Sequence, residues 1–193
     1  MSERTADARV VIDYPAWVDR VVDWKARYPD DESRMRLAVT LSRENVLRGD
    51  GGPFGAAIFE ADGGSLVSVG VNSVVRLGNS VLHAEVVAFM MAQRRLGSFT
   101  LSSPTLAEHV LVTSCEPCAM CLGATLWSGV RSVVYGAARE DASALGFDEG
   151  PVFEESYAYL EQRGIRITRG VLRDDARAVL ELYRARSGKI YNA

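Results

Sequence analysis

The sequence predicts an α/β protein: a three-layer α/β/α sandwich around a mixed sheet of about five strands. Three observations carry that expectation. Segments of helical period alternate with short apolar runs from residue 32 to residue 186. Two of those runs, 54–60 and 66–71, flank Asp62-Gly63-Gly64, a turn signal that pairs them antiparallel. The later runs are separated by helical segments, which places helices on both faces of the sheet.

Residues 1–12 read as a loose arm. Trp17, Val18, Val21, Val22 and Trp24 have helical spacing, so a helix is expected over 14–28, stopped by Pro29. Asp30, Asp31 and Ser33 are capping residues for a second helix over 32–47, with Leu37, Ala38, Leu41 and Ser42 on its packing face. Gly49-Asp50-Gly51-Gly52-Pro53 breaks it. After the hairpin and a loop through Gly78, a helix is expected from His83 to Leu96, a strand over 110–113, a helix from Cys118 to Trp127 and a strand over 130–135. Residues 140–156 read as a mixed loop with one helical turn. A helix over 157–162, a strand over 165–168 and a long amphipathic helix over 174–186 complete the chain. The expected organisation is one domain over 1–193, with 1–30 an N-terminal arm and helix and 172–193 a C-terminal helix and tail.

An apolar content of 48% with 24% charged residues places the chain in the ordinary globular class. No apolar stretch is long enough for a membrane span, and Met1 to Arg9 is polar, so the expected compartment is the cytoplasm. A net charge of −3 with no long basic run argues against a partner bound through phosphates. The three cysteines all fall within 115–121, too close together for a disulfide framework and suited to a metal in a reducing compartment.

The chemistry concentrates in His83-Ala84-Glu85 and Pro117-Cys118-Ala119-Met120-Cys121. Cys118 and Cys121, three residues apart, share one side of a helical turn. With His83 they offer three protein ligands, the number a catalytic zinc ion takes while keeping a fourth position for water. Glu85 is then the carboxylate beside that water. His-x-Glu followed by Pro-Cys-x-x-Cys is the recognised signature of zinc-dependent nucleobase deaminases and is applied as such. Residues i and i+2 diverge on a regular helix, so the reading requires His83 at the very start of its helix. Asn79 and Ser80 before it, and the apolar run Val86, Val87, Phe89, Met90, Met91 after it, permit this. Pro117 likewise puts Cys118 at a helix start, where the dipole favours a thiolate.

A rival reading adds Cys115, which with Cys118, Cys121 and His83 would close a structural zinc site with no chemistry of its own. It leaves Glu85 unexplained. His109 opens a strand and reads as a packing or surface residue. Phe54 is either core or a wall on which a flat base stacks. Asn72 is either a turn residue or an amide that meets a polar ring edge.

Gly51-Gly52-Pro53-Phe54-Gly55, Asn72, His83-Ala84-Glu85, Thr113-Ser114-Cys115-Glu116-Pro117-Cys118-Ala119-Met120-Cys121, Gly146-Phe147-Asp148-Glu149 and the terminal Ile190-Tyr191-Asn192-Ala193 together resemble bacterial guanine deaminases of the cytidine-deaminase fold. The resemblance spans residue 33 to the C-terminus. It implies one Zn2+ per chain on His83, Cys118 and Cys121, with Glu85 as proton shuttle. It also implies that Asn72 contacts the purine, that Phe54 and Trp127 line the base pocket, and that Glu149 binds the guanine edge. A homodimer is implied, domain-swapped through a C-terminal segment that carries Tyr191 to the partner's site as a lid. The expected reaction is hydrolytic deamination of guanine to xanthine and ammonia. Other aminated heterocycles or nucleosides (guanosine, cytosine, ammeline, tRNA adenosine) are the alternatives within the same chemistry.

Overall fold

The computed structural model describes residues 10–192, so most of the expected N-terminal arm and Ala193 lie outside the described residues. Its centre is a five-stranded sheet ordered β2-β1-β3-β4-β5, built from β1 (Gly55–Glu60), β2 (Leu66–Val71), β3 (His109–Cys115), β4 (Ser132–Ala137) and β5 (Arg166–Thr168). β1 pairs antiparallel with β2 and with β3, while β3–β4 and β4–β5 are parallel. The sheet is therefore mixed, and its antiparallel half is the hairpin that Asp62-Gly63-Gly64 signals.

Successive strand residues point to opposite faces and enter two different apolar layers. Ala57, Phe59, Val110 and Val112 join one layer, with Met35, Leu41, Val179 and Leu180 from α2 (Asp31–Arg48) and α8 (Arg173–Ala185). Ala56, Ile58, Leu111 and Val133 join the other, with Ala88, Phe89, Leu122 and Leu160 from α4 (Ala84–Leu96), α5 (Ala119–Ser128) and α7 (Glu154–Gln162). Asp30 caps α2 by accepting from the Ser33 backbone N–H at 2.7 Å, and Gly49 ends it in the left-handed region at φ 73°.

The expected helix over 14–28 is corrected: only α1 (Val18–Val21) is helical there, and Val22 is extended. The aromatic groups of this segment are held by different partners. The Trp17 indole N–H donates to Asp50 Oδ2 at 2.7 Å, the Trp24 ring lies under the Arg95 guanidinium, and the Val69 N–H donates to the Tyr14 hydroxyl. Helical spacing here reflects burial of single anchors, not one packed helix face. Two short helices, α3 (Val74–Leu77) and α6 (Arg139–Ser143), flank the site loops.

Candidate active site

His83 and Cys118 are the N-cap residues of α4 and α5, each with an extended backbone. His83 can thus turn back toward the cysteines while Glu85, in the first turn of α4, faces the same space. The His83 Nδ1 lies 3.5 Å from Cys118 Sγ and 3.6 Å from Cys121 Sγ. Two ligands placed tetrahedrally around zinc at ordinary Zn–N and Zn–S lengths stand about 3.5 Å apart, so the three groups fit that ion. They are the one such cluster among the described residues.

The electrostatics suit a cation. The Cys121 thiol donates to Cys118 and, against the opposing effect of burial, holds it down to about 4, with His83 adding to the pull. Cys121 is pushed well up by that same donation and by its own burial. Burial raises Glu85, which is 6% exposed, and the Cys118 thiolate raises it further. Burial also carries Glu149 up to about 8, helped by Cys118 and Glu85. This crowding of negative charge is what a bound dication relieves.

One pocket gathers most of the expected residues: Phe54, Asn72, His83, Glu85, Cys118, Glu149 and Tyr191 all line it. Asn72 follows β2, is 1% exposed, and its Oδ1 accepts from the Val74 N–H at 3.4 Å. Its Nδ2 is buried with no hydrogen-bond partner. The Phe54 ring meets Phe147 edge-on at 5.1 Å. Tyr191 lies 5.2 Å from Phe147 and 6.3 Å from His83 between ring centroids, and its hydroxyl is buried and unpaired.

Trp127 is the exception: it is not among the residues that line this pocket. It stands at the end of α5, 79% exposed and away from the pocket. Six residues beyond Cys121 places it about a third of a turn around the helix from that ligand. In the single chain described, the tail reaches its own site. Tyr191 and Asn192 line the pocket of their own chain. The Asp148 N–H donates to Asn192 O at 3.0 Å and Asn192 Nδ2 to Asp148 O at 2.8 Å, so the tail is stitched to the residue next to Glu149. The free space left inside is about 10 Å³, that of a single water.

Cys115 lies outside the cluster. Its Sγ faces Ala138 O at 3.8 Å, and burial pushes its thiol well up, which leaves the closed three-cysteine site without its fourth ligand. His109 is buried with its Nδ1 against Leu101 O at 3.0 Å, as a packing residue should be.

Two pocket residues were missed by sequence reasoning. Glu116 is 7% exposed and accepts from the Tyr157 hydroxyl at 2.5 Å and from the Arg139 N–H at 3.0 Å. Its position between Cys115 and Pro117 was a signal that could have found it. Asn192 carried no signal beyond its neighbour Tyr191.

Residues 29–137 match the cytidine and deoxycytidylate deaminase zinc-binding region. The chain is 40% identical over 134 residues to the guanine deaminase of Bacillus subtilis (strain 168), covering 69% of this chain and 81% of the relative. Guanine deaminase from Nitrosomonas europaea superposes with a TM-score of 0.87 at 44% identity, over 92% of this chain and 97% of that one. The protein NE0047, crystallised with 2,6-diaminopurine, superposes with a TM-score of 0.88 at 45% identity, over 94% of this chain and 96% of that one.

Proposed function

The chain belongs to the zinc-dependent cytidine and deoxycytidylate deaminase family, in the branch of the guanine deaminases, and on that premise we propose that it hydrolyses guanine to xanthine and ammonia. The observation that carries this reading is the buried, unpaired Nδ2 of Asn72 lining the same pocket as the Glu149 carboxyl and the zinc cluster. Guanine presents a carbonyl acceptor and N–H donors on one ring, which an amide donor and a carboxylate acceptor can satisfy together. A pocket that leaves its own polar groups unpaired with the wrong ring rejects that ring strongly.

The chain carries one zinc ion, which His83, Cys118 and Cys121 would hold. Bound there, zinc supplies the Lewis acidity that brings a water's pKa toward neutrality. Glu85, buried beside the cluster, takes the proton of the attacking water and later delivers a proton to the departing amine, so that one carboxylate serves as base and then as acid. Phe54 gives the base an apolar wall, and Tyr191 with Asn192 shuts out bulk water.

The homodimer is read from α5, which has no charged residue yet presents Trp127 at 79% exposure. Beside it, Leu122, Leu126 and Leu160 line a groove of about 400 Å³, with Phe153 and Tyr159 exposed nearby. Such a largely apolar groove, edged by Glu155 and Ser156, is suited to a second copy of the chain. Three free, buried cysteines fit the reducing cytoplasm.

The test is ammonia release by the zinc-loaded protein from guanine, guanosine, cytosine, adenine and ammeline, repeated with Glu149→Gln. Losing a hydrogen bond to a charged group should lower kcat/KM for guanine by about 10- to 150-fold with zinc content unchanged. Release from another ring alone, or an unaffected Glu149→Gln enzyme, refutes the substrate assignment.

A further inference from the structure

Asn72 can act on a purine only if the backbone that carries its amide is held in place, and a residue that holds that backbone comes from a distant element. Asn45 stands in the last turn of α2 and is fully buried. Its Nδ2 donates to two backbone carbonyls at once, Gly52 O at 2.9 Å and Asn72 O at 3.0 Å. Two acceptors leave no choice of amide orientation, because a flipped side chain would set its oxygen against both carbonyls. Its Oδ1 is then buried without a partner. An unpaired acceptor is a cost to the fold that an apolar residue would avoid, so the value of Asn45 lies in its donor.

The same residue anchors the glycine loop from its other side. Asn45 O accepts from Gly49 N–H and from the Asp50 N–H. The loop is pressed against Asn72 so tightly that a Cβ at Gly51 would lie 2.1 Å from Asn72 O and 2.9 Å from Asn45 Nδ2. The Asn72 N–H in turn donates to Phe54 O at 3.1 Å. One carboxamide therefore registers the two segments that bear the pocket wall and the amide donor.

We propose that Asn45 is a positioning and specificity-determining residue, which sets the Asn72 amide and the Gly51–Phe54 wall in register for the purine. The proposal rests on the reading of Asn72 as a purine contact. With the donor gone, Asn72 and the glycine loop can separate, and the Asn72 Nδ2 loses its fixed aim while His83, Glu85 and the cysteines stay where they are.

The experiment is a double-mutant cycle on the zinc-loaded full chain, with kcat and KM for guanine measured in Asn45→Ala, Asn72→Ala and the pair. Asn45→Ala should lower kcat/KM by about ten-fold in the wild-type background and by less than about two-fold in the Asn72→Ala background, with zinc content unchanged. Asn45→Ser, which keeps a shorter donor, should recover part of the loss. If Asn45→Ala fails to fold, Asn45→Ser takes its place in the cycle under the same criterion. Equal factors in both backgrounds would mean general loosening and overturn the proposal alone. An Asn72→Ala enzyme with intact kcat/KM would overturn the purine contact and the proposal with it.

Discussion

Gly70→Ala tests how closely the sheet and the catalytic helix are coupled, although Gly70 touches no ligand. Gly70 lies in β2 opposite Ala56, under the first turns of α4. A Cβ built there would stand 2.0 Å from Ala84 O and 2.6 Å from Ala88 N, both backbone atoms of α4. No rotamer change relieves a backbone contact, so helix and strand must part by about 1.4 Å to reach ordinary van der Waals distance. The start of α4 carries His83 and Glu85, whereas Cys118 and Cys121 belong to α5 and would not follow. The 3.5 Å spacing between His83 Nδ1 and Cys118 Sγ would be lost. A misplacement of about 1 Å costs on the order of 100-fold in rate. Overpacking should also remove about 1–3 kcal/mol of stability. The assay is kcat for guanine with zinc content and Tm measured on the same preparation. A Tm that falls while kcat stays within about three-fold of wild type would refute the reasoning, because it would show that α4 keeps its catalytic end in place.

Glu85→Gln should retain zinc and fold while kcat falls by about 100- to 10,000-fold; a smaller loss removes Glu85 from proton transfer. Cys115→Ser should leave zinc content at one per chain, whereas Cys118→Ser should lower it, as measured by metal analysis after dialysis. Loss of zinc from Cys115→Ser would restore the closed four-ligand site. Asp141→Asn should cost about 1–2 kcal/mol near neutral pH, because Asp141 accepts from Ala138 N–H at 2.8 Å and from Arg173 Nε at 2.9 Å, the Arg173 side chain being half exposed. Burial raises the Asp141 carboxyl, but Arg173 and the Ala138 N–H outweigh it and hold the pKa below the ordinary 3.8. Its contribution is thus present above that value and lost as pH falls through the folded-state pKa, so urea midpoints of variant and wild type should converge in acid. A difference independent of pH would assign the cost to packing.

Much of the fold was legible because it depends on local order. The turn at Asp62-Gly63-Gly64, the cap at Asp30 and the amphipathic run of α8 each signal themselves within a few residues, and all three stand where the sequence places them. The segment over 14–28 misled because Trp17 and Trp24 are spaced like one helix face but are buried against different partners, which periodicity does not distinguish. Trp127 entered through the resemblance alone, and the single chain leaves it exposed at the end of α5.

The sequence by itself determined the chemistry. A histidine two residues from a glutamate and two cysteines three apart, each pair at a helix start, admit few uses besides a three-ligand zinc centre with a carboxylate at hand. Tertiary structure decided what surrounds that centre. It brought Glu149, Asn72 and Tyr191, from three distant stretches, to one pocket, set Glu116 into its wall, and gave Asn45 two carbonyls to hold. It also laid the C-terminal tail over its own site through Asp148 and Asn192. The reason is range. Ligand spacing is a property of one helical turn, while a pocket wall is assembled from residues whose proximity depends on sheet order and helix packing, and neither is written in any single stretch of the chain.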